Sequence, residues 1–204
     1  MWIDCEMTGL DVTCDALIEV AVLVTDPELN VLGDGVDVVI SPPVAAVEQM
    51  SDFVRAMHAS SGLLDSLVGG ITLAEAERLI MDYVRAYVPE AGKAPLAGSS
   101  VGMDRAFLAR DMPIVHDYLH YRNVDVSSIK ELTRRWYPKT FFAAPDKASH
   151  HRALDDIKES ITELRYYREA VFVPSPGPTR EAAKAIAARY YNKFSPQSPR
   201  RRAG

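Results

Sequence analysis

The chain opens on an apolar segment, Trp2-Ile3-Asp4-Cys5-Glu6-Met7-Thr8-Gly9-Leu10-Asp11, with two carboxylates set two residues apart. Side chains of an extended strand alternate between faces, so Asp4 and Glu6 share one face while Ile3, Cys5 and Met7 take the other. Two like charges held side by side repel, and each raises the pKa of the other unless a cation lies between them. Oxygen ligands of this kind suit Mg²⁺ or Mn²⁺ better than Zn²⁺. A metal site is one reading and a pair of solvated acids on a half-exposed strand is the other. Further carboxylates are needed to decide between them.

The composition bounds the alternatives. A chain of 204 residues, 48% hydrophobic and 25% charged, can bury a sizeable core, and a second domain is not needed. The formal net charge of -5 argues against a long nucleic-acid footprint, which draws its affinity from many Lys and Arg contacts to phosphates. A short oligonucleotide or small phosphoester stays open. Cys5 and Cys14 are the two cysteines, and no secretory signal or membrane-length apolar run is present, so the chain reads as cytoplasmic. Both cysteines read as structural or incidental, with Cys5 packing as a small hydrophobe.

Segments 16–25 and 31–40 are rich in Val, Leu and Ile and flank the turn-forming Asp26-Pro27-Glu28-Leu29-Asn30, which predicts an antiparallel meander of three strands. Ser41-Pro42-Pro43 ends that run, because proline cannot donate to a ladder. Helical patterning follows over 51–67 and over 72–87, where Leu73, Ala76, Leu79, Ile80, Tyr83 and Val84 form one apolar face. Thr72 with Glu75 fits a capping box. A short buried strand at 95–99 leads through a loop to a helix over 103–111, with Asp104 near its N-terminus. A strand at 123–126 and a helix at 127–136 come next, and the last strong helix spans 154–171 on the stripe Leu154, Ile157, Ile161 and Leu164. Strands first, then strands alternating with helices, predict an α/β fold in which helices flank a mixed sheet.

Beyond that helix the character changes. Pro174-Ser175-Pro176-Gly177-Pro178 is a breaker, 179–190 suits an Ala-rich amphipathic helix, and Arg200-Arg201-Arg202 reads as part of a solvated tail rather than a nucleic-acid contact. The expected organisation is one domain over 1–173 and a C-terminal extension over 174–204, partly helical or disordered.

Further acids recur near loops and helix starts: Asp104, in Ser99-Ser100-Val101-Gly102-Met103-Asp104, and the pair Asp155-Asp156 after His150-His151. Alone, each reads as a helix N-terminal acid that complements the macrodipole. Together, four carboxylates and a histidine form the inventory for two-metal phosphodiester hydrolysis, in which ions about 4 Å apart clamp the attacking water and the leaving oxygen. A histidine near neutral pKa can take the water's proton.

Asp4-x-Glu6, Asp104, and His151 with Asp156 five positions later resemble, in order and character, the DEDDh exonucleases. The nearer resemblance is to their oligoribonuclease branch. It is carried by the opening segment, Ser100-x-Gly102-x-Asp104-Arg105, His120-Tyr121-Arg122-x-x-Asp125-Val126-Ser127, Lys130-Glu131-Leu132 and Ala153-x-Asp155-Asp156-Ile157. The resemblance implies an RNase H-like α/β fold and stepwise release of 5′-mononucleotides from the 3′ end of very short RNA, dinucleotides included. It implies Asp4, Glu6, Asp104 and Asp156 as ligands of two Mg²⁺ or Mn²⁺ ions, with His151 as general base. It also implies that Leu10 wedges against a base and that Phe53, at a position where tryptophan is usual, stacks on another. Ser100, together with Tyr121 and Arg122 from a partner subunit, would enclose the terminal phosphate and bases, which requires a homodimer.

Taken singly, Leu10 and Phe53 read as core residues and Tyr121 as a packed strand residue. The apolar stripe leaves both Asp155 and Asp156 at its margins, so the choice of Asp156 rests on family spacing. His151 is expected on the loop before the helix, since five helical residues would turn it well away from Asp156. A closed pocket accounts for short substrates without a basic groove.

Two features depart from the family pattern. Met1 lies only three residues before Asp4, which leaves little strand ahead of the site and suggests a longer or trimmed start, and the tail after Val173 runs past the usual core. The competing readings are a non-catalytic nucleotide-binding module on the same fold, which would lack one of the four acids, and a scaffold, which would show no aligned acids. All four acids are present.

Overall fold

The computed structural model describes residues 1–146 and 152–191; His150, His151 and the basic run at 200–202 lie outside the described residues. Strands β1 (Trp2–Met7), β2 (Leu17–Thr25) and β3 (Val31–Val39) form the expected antiparallel meander. Strands β4 (Pro95–Gly98) and β5 (His120–Asp125) continue the sheet in parallel, giving the order β3-β2-β1-β4-β5.

Ten α-helices are described: α1 (Val44–Glu48), α2 (Asp52–Ser60), α3 (Leu63–Ser66), α4 (Leu73–Tyr87), α5 (Gly102–Asp111), α6 (Pro113–Tyr118), α7 (Val126–Trp136), α8 (Pro138–Phe142), α9 (Ala153–Ala170) and α10 (Arg180–Tyr190). The helical pattern over 51–67 is two helices rather than one, because Gly62 between them adopts the left-handed conformation at φ 74°. Helices α1, α6 and α8 were not expected. Pro113 and Pro138 open α6 and α8 at the position where a missing N–H costs nothing. The capping residue of α4 is as expected, with Thr72 Oγ1 accepting from Glu75 N at 3.2 Å.

Alternation along the strands divides the core between two layers. Ile3, Cys5, Val20, Val22 and Leu96 face one side, where Ile80 and Val84 of α4, Phe107 and Leu108 of α5 and Val115 of α6 cover them. Trp2, Ala21, Leu23 and Ala97 face the other, under Ile157, Ile161, Leu164 and Tyr167 of α9 and Val126 of α7. Burying each such aliphatic side chain contributes about 1.5–3 kcal/mol, so both helical layers are held firmly to the sheet. Asp4 and Glu6 thereby fall on the α9 side.

Beside β1 the sheet is held by a narrow seam. Trp2 pairs with Ala97, the Ala97 N–H donates to Met1 O at 2.8 Å, and no further β1–β4 pair is formed. At Gly98 an added Cβ would lie 3.0 Å from Ile3 O and 2.8 Å from Val101 Cγ1. Gly98→Ala should push β4 from β1 and destabilise the protein by about 1–3 kcal/mol, the usual cost of overpacking. Urea unfolding of the variant at parental stability would contradict this reading of the seam.

Candidate active site

Asp4, Glu6 and Asp156 each offer a carboxylate oxygen, and these oxygens lie within 4.8 Å of one another. Strand alternation supplies the first two. Helix α9 supplies the third from its first turn, where the Asp156 N–H donates to Arg152 O at 3.0 Å. The adjacent Asp155 is half exposed and pairs instead with Lys158 Nζ at 3.0 Å. Asp104 is not one of these three and comes up to β1 from the opposite layer, close enough to raise the pKa of Asp4 and Glu6. It sits in the first turn of α5, is 7% exposed, and its Oδ1 accepts the Cys5 N–H at 3.0 Å. Beyond the Trp2–Ala97 pair β4 no longer serves β1, so this carboxylate takes up a strand donor that would otherwise be buried unpaired.

The concentration of buried acids is electrostatically unfavourable by itself. Burial, then Asp104, Glu6 and Asp156, push Asp4 up to about 9; burial, then Asp156 and Glu19, push Glu6 up to about 8. Asp104 is raised to about 6, chiefly by burial, with its backbone hydrogen bonds pulling the other way. An oxygen-only donor set of this charge and crowding fits a hard divalent cation, which would replace the protons that such acids otherwise retain.

Two supporting arrangements were not anticipated from sequence. Glu19, fully buried on β2 opposite Glu6, accepts from Arg152 Nε at 2.8 Å and from Ala153 N at 3.1 Å. Its signal was present as a lone acid in the otherwise apolar run Leu17–Thr25. His58, buried on α2, has Nε2 2.9 Å from Met7 O and Nδ1 3.9 Å from Glu6 Oε2, which ties α2 to the end of β1.

The expected substrate residues are all on the surface. Leu10 is 69% exposed and Phe53 78% exposed, which corrects the single-residue reading of both as core; Tyr121, at 74%, is likewise not a packed strand residue. Leu10 sits on a loop closed by Thr8 and Asp15, with Thr8 Oγ1 donating to Asp15 Oδ1 at 2.9 Å. At Gly9 a Cβ would run into that Asp15 carboxylate at 2.3 Å, so glycine lets the loop close tightly. Arg110 of α5 buttresses the same loop by donating to Val12 O and, at 2.7 Å, to Asp15 O.

Ser100 is held at φ 60°, an uncommon backbone state for a residue with a side chain. Its N–H donates to Asp125 Oδ1 and its Oγ to Ser127 Oγ, each at 3.0 Å. Tyr121 and Arg122 are not brought to this cluster within one chain. Pro95 pairs with His120 and Leu96 with Asn123, so both residues are extruded from the β4–β5 ladder as a bulge. They lie near the start of β5, about 10–13 Å along the strand from Asp125 at roughly 3.3 Å per residue. Helix α9 begins at Ala153, two residues after His151, which is itself outside the described residues.

A family model described as Exonuclease (RNase_T) matches residues 1–164. The oligoribonuclease of Streptomyces griseus is 68% identical over 189 residues, covering 93% of this chain and 94% of that protein. Those of Streptomyces avermitilis and Cutibacterium acnes are 65% and 60% identical over 190 residues, again covering 93% of this chain and 95% and 94% of theirs. Among solved structures, exonuclease I from Methylocaldum szegediense has a TM-score of 0.58 at 21% identity. A zinc-bound complex of E. coli exonuclease I with single-stranded DNA has 0.63 at 15%. Each of these two covers 83% of this chain, which spans only 40% of the longer protein. Their likeness shows an RNase H-like fold. With the match to the family model and relatives at least 60% identical over nearly their full length, the chain belongs to the oligoribonuclease family of exonucleases, which are nucleic-acid hydrolases.

Proposed function

We propose that this protein is a metal-dependent 3′-to-5′ exoribonuclease that degrades RNA of a few nucleotides, dinucleotides included, to 5′-mononucleotides. The observation that carries the reading is the convergence of Asp4, Glu6 and Asp156 within 4.8 Å, with Asp104 hydrogen-bonded to the same strand. The relatives' name supports short RNA as the substrate. These four acids would hold two Mg²⁺ or Mn²⁺ ions, which supply Lewis-acid activation of water and neutralise charge at the phosphoryl group. His151 would take the proton from the attacking water. The exposed Leu10 and Phe53 would receive bases, and Ser100 the terminal phosphate.

Tyr121 and Arg122 would complete the pocket of a second subunit, so the working unit is a homodimer. The bulge supports this: it turns both side chains outward at an edge strand, on the end of β5 away from their own subunit's acids. A planar guanidinium suits a phosphate, and a tyrosine ring can stack on a base. The catalytic unit is assigned to 1–173, the extension to 174–204, and the site of action to the cytoplasm. Among the described residues no helix is long and apolar enough to cross a membrane.

Digestion of labelled RNA and DNA 2- to 10-mers, with Mg²⁺, Mn²⁺ or chelator, tests the activity directly. Asp4→Ala, Glu6→Ala, Asp104→Ala and Asp156→Ala should each abolish turnover while Asp155→Ala keeps substantial activity, and His151→Ala should slow hydrolysis by roughly a hundredfold. Unimpaired cleavage by any of the four would remove that residue from the ligand set. An essential Asp155 beside a dispensable Asp156 would reverse the assignment on α9.

Subunit mixing tests the composite pocket. Asp104→Ala and Arg122→Ala proteins, each inactive, should regain part of the activity when recombined, because some heterodimers carry one intact site. Full activity from a monomer at high dilution would refute the dimer.

The raised acids also predict how stability depends on pH. Above its unfolded pKa near 4 and below its folded value of about 9, Asp4 holds a proton in the native state that the unfolded chain has lost. Stability of the metal-free protein therefore falls as pH rises through that window, and bound Mn²⁺ should remove the fall by displacing the proton. Melting temperatures of the parent and Asp4→Asn, measured in chelator and in Mn²⁺ from about pH 5 to pH 9, isolate this contribution. Equal slopes in the two metal-free proteins would count against it.

A further inference from the structure

We propose that Glu19 and Arg152 are positioning residues that set the first turn of α9, and with it Asp156, against the acids of β1. The inference rests on the proposed hydrolytic reading and names residues to which that reading gives no role. Glu19 is wholly buried, and its partner in the β1–β2 register is Glu6. Its Oε1 accepts from Arg152 Nε at 2.8 Å and lies 2.6 Å from Nη2, while Oε2 accepts the Ala153 N–H at 3.1 Å.

Helix α9 has no side-chain cap of its own, because its N-cap residue is Arg152, whose guanidinium has no acceptor. The first N–H groups of a helix lack intrahelical partners and favour a negative charge. Glu19 fills that role from a strand 134 positions earlier in the chain. Arg152 O in turn accepts the N–H groups of Asp155 and Asp156, both at 3.0 Å. One carboxylate on β2 thus fixes the residue from whose carbonyl the first turn, carrying Asp156, is hung. Arg152 has a second effect. Its guanidinium balances Glu19 directly across from Glu6, so that a fifth acid can sit beside the cluster without being drawn in as a competing ligand.

A merely structural ion pair would affect stability alone, so the test separates stability from metal binding. In Glu19→Gln/Arg152→Gln an amide pair of similar size replaces the ion pair, so that neither charge is left buried without its partner, and urea unfolding measures what stability is lost. Binding of Mn²⁺, followed by electron paramagnetic resonance of the free ion, should weaken by about ten- to a hundredfold, the usual effect of disturbing groups that orient metal ligands. kcat on a labelled RNA dinucleotide should fall by a comparable factor with little change in KM. Arg152→Lys, which keeps the charge but not the planar fork, should recover part of both losses.

Lys130→Met is the control. It removes a 3.0 Å ion pair to Glu163 farther along the same helix and should leave Mn²⁺ affinity unchanged. Parental Mn²⁺ affinity in the double variant, or an equal loss in Lys130→Met, would overturn the proposal. Should Glu19→Gln alone fail to fold, the double variant still decides the matter. A parent protein that binds Mn²⁺ but leaves RNA intact would refute the hydrolytic reading, and the binding comparison would still judge the positioning role.

Discussion

Mutual repulsion among acids forced into one poorly solvated place is the constraint around which this molecule is arranged. Two unit charges separated by the 4.8 Å that bounds the Asp4, Glu6 and Asp156 oxygens repel by about 3.5 kcal/mol at an effective dielectric constant near 20. Desolvation adds to this for every carboxylate that stays ionised. No isolated strand or helix would hold such a group together. It is held because its members come from elements fixed for other reasons: β1 inside the sheet, α9 by its apolar stripe, and α5 by Phe107 and Leu108 in the opposite core layer. Hydrophobic burial supplies the stability that lets the acids remain in a position they would otherwise leave.

Legibility from sequence followed how local each cause was. The shared face of Asp4 and Glu6 is a consequence of strand alternation alone, and the amphipathic stripes of α4 and α9 are equally local. Asp156 was separable from Asp155 only by resemblance, because both lie at the edge of the stripe; their different surroundings arise from packing of α9 on the sheet. The hydrogen bond from Cys5 N to Asp104, across 99 positions, left no trace in either segment. Nor did the bulge at Tyr121 and Arg122, since an extruded pair and an ordinary strand pair have the same residues. Exposure of Leu10 and Phe53 was likewise set by tertiary context: one rides a loop closed by Thr8, Asp15 and Arg110, the other a helix anchored at its far end by His58.

The same separation of causes bears on substrate length. A nuclease for long polymers needs a continuous cationic track, because affinity for a polyanion grows with the number of phosphates neutralised. This chain carries a net charge of -5. Under the proposed function, affinity must therefore come from a few base contacts and from enclosure of the terminal phosphate, both of which are exhausted after a very short length. On the proposed reading one subunit would not supply that enclosure by itself, because Arg122 stands toward the opposite end of β5 from Asp125, which holds Ser100. On that reading, selectivity for short ends and assembly into a dimer would be one requirement, because the surface closing the pocket against longer RNA would be the surface that a second copy brings.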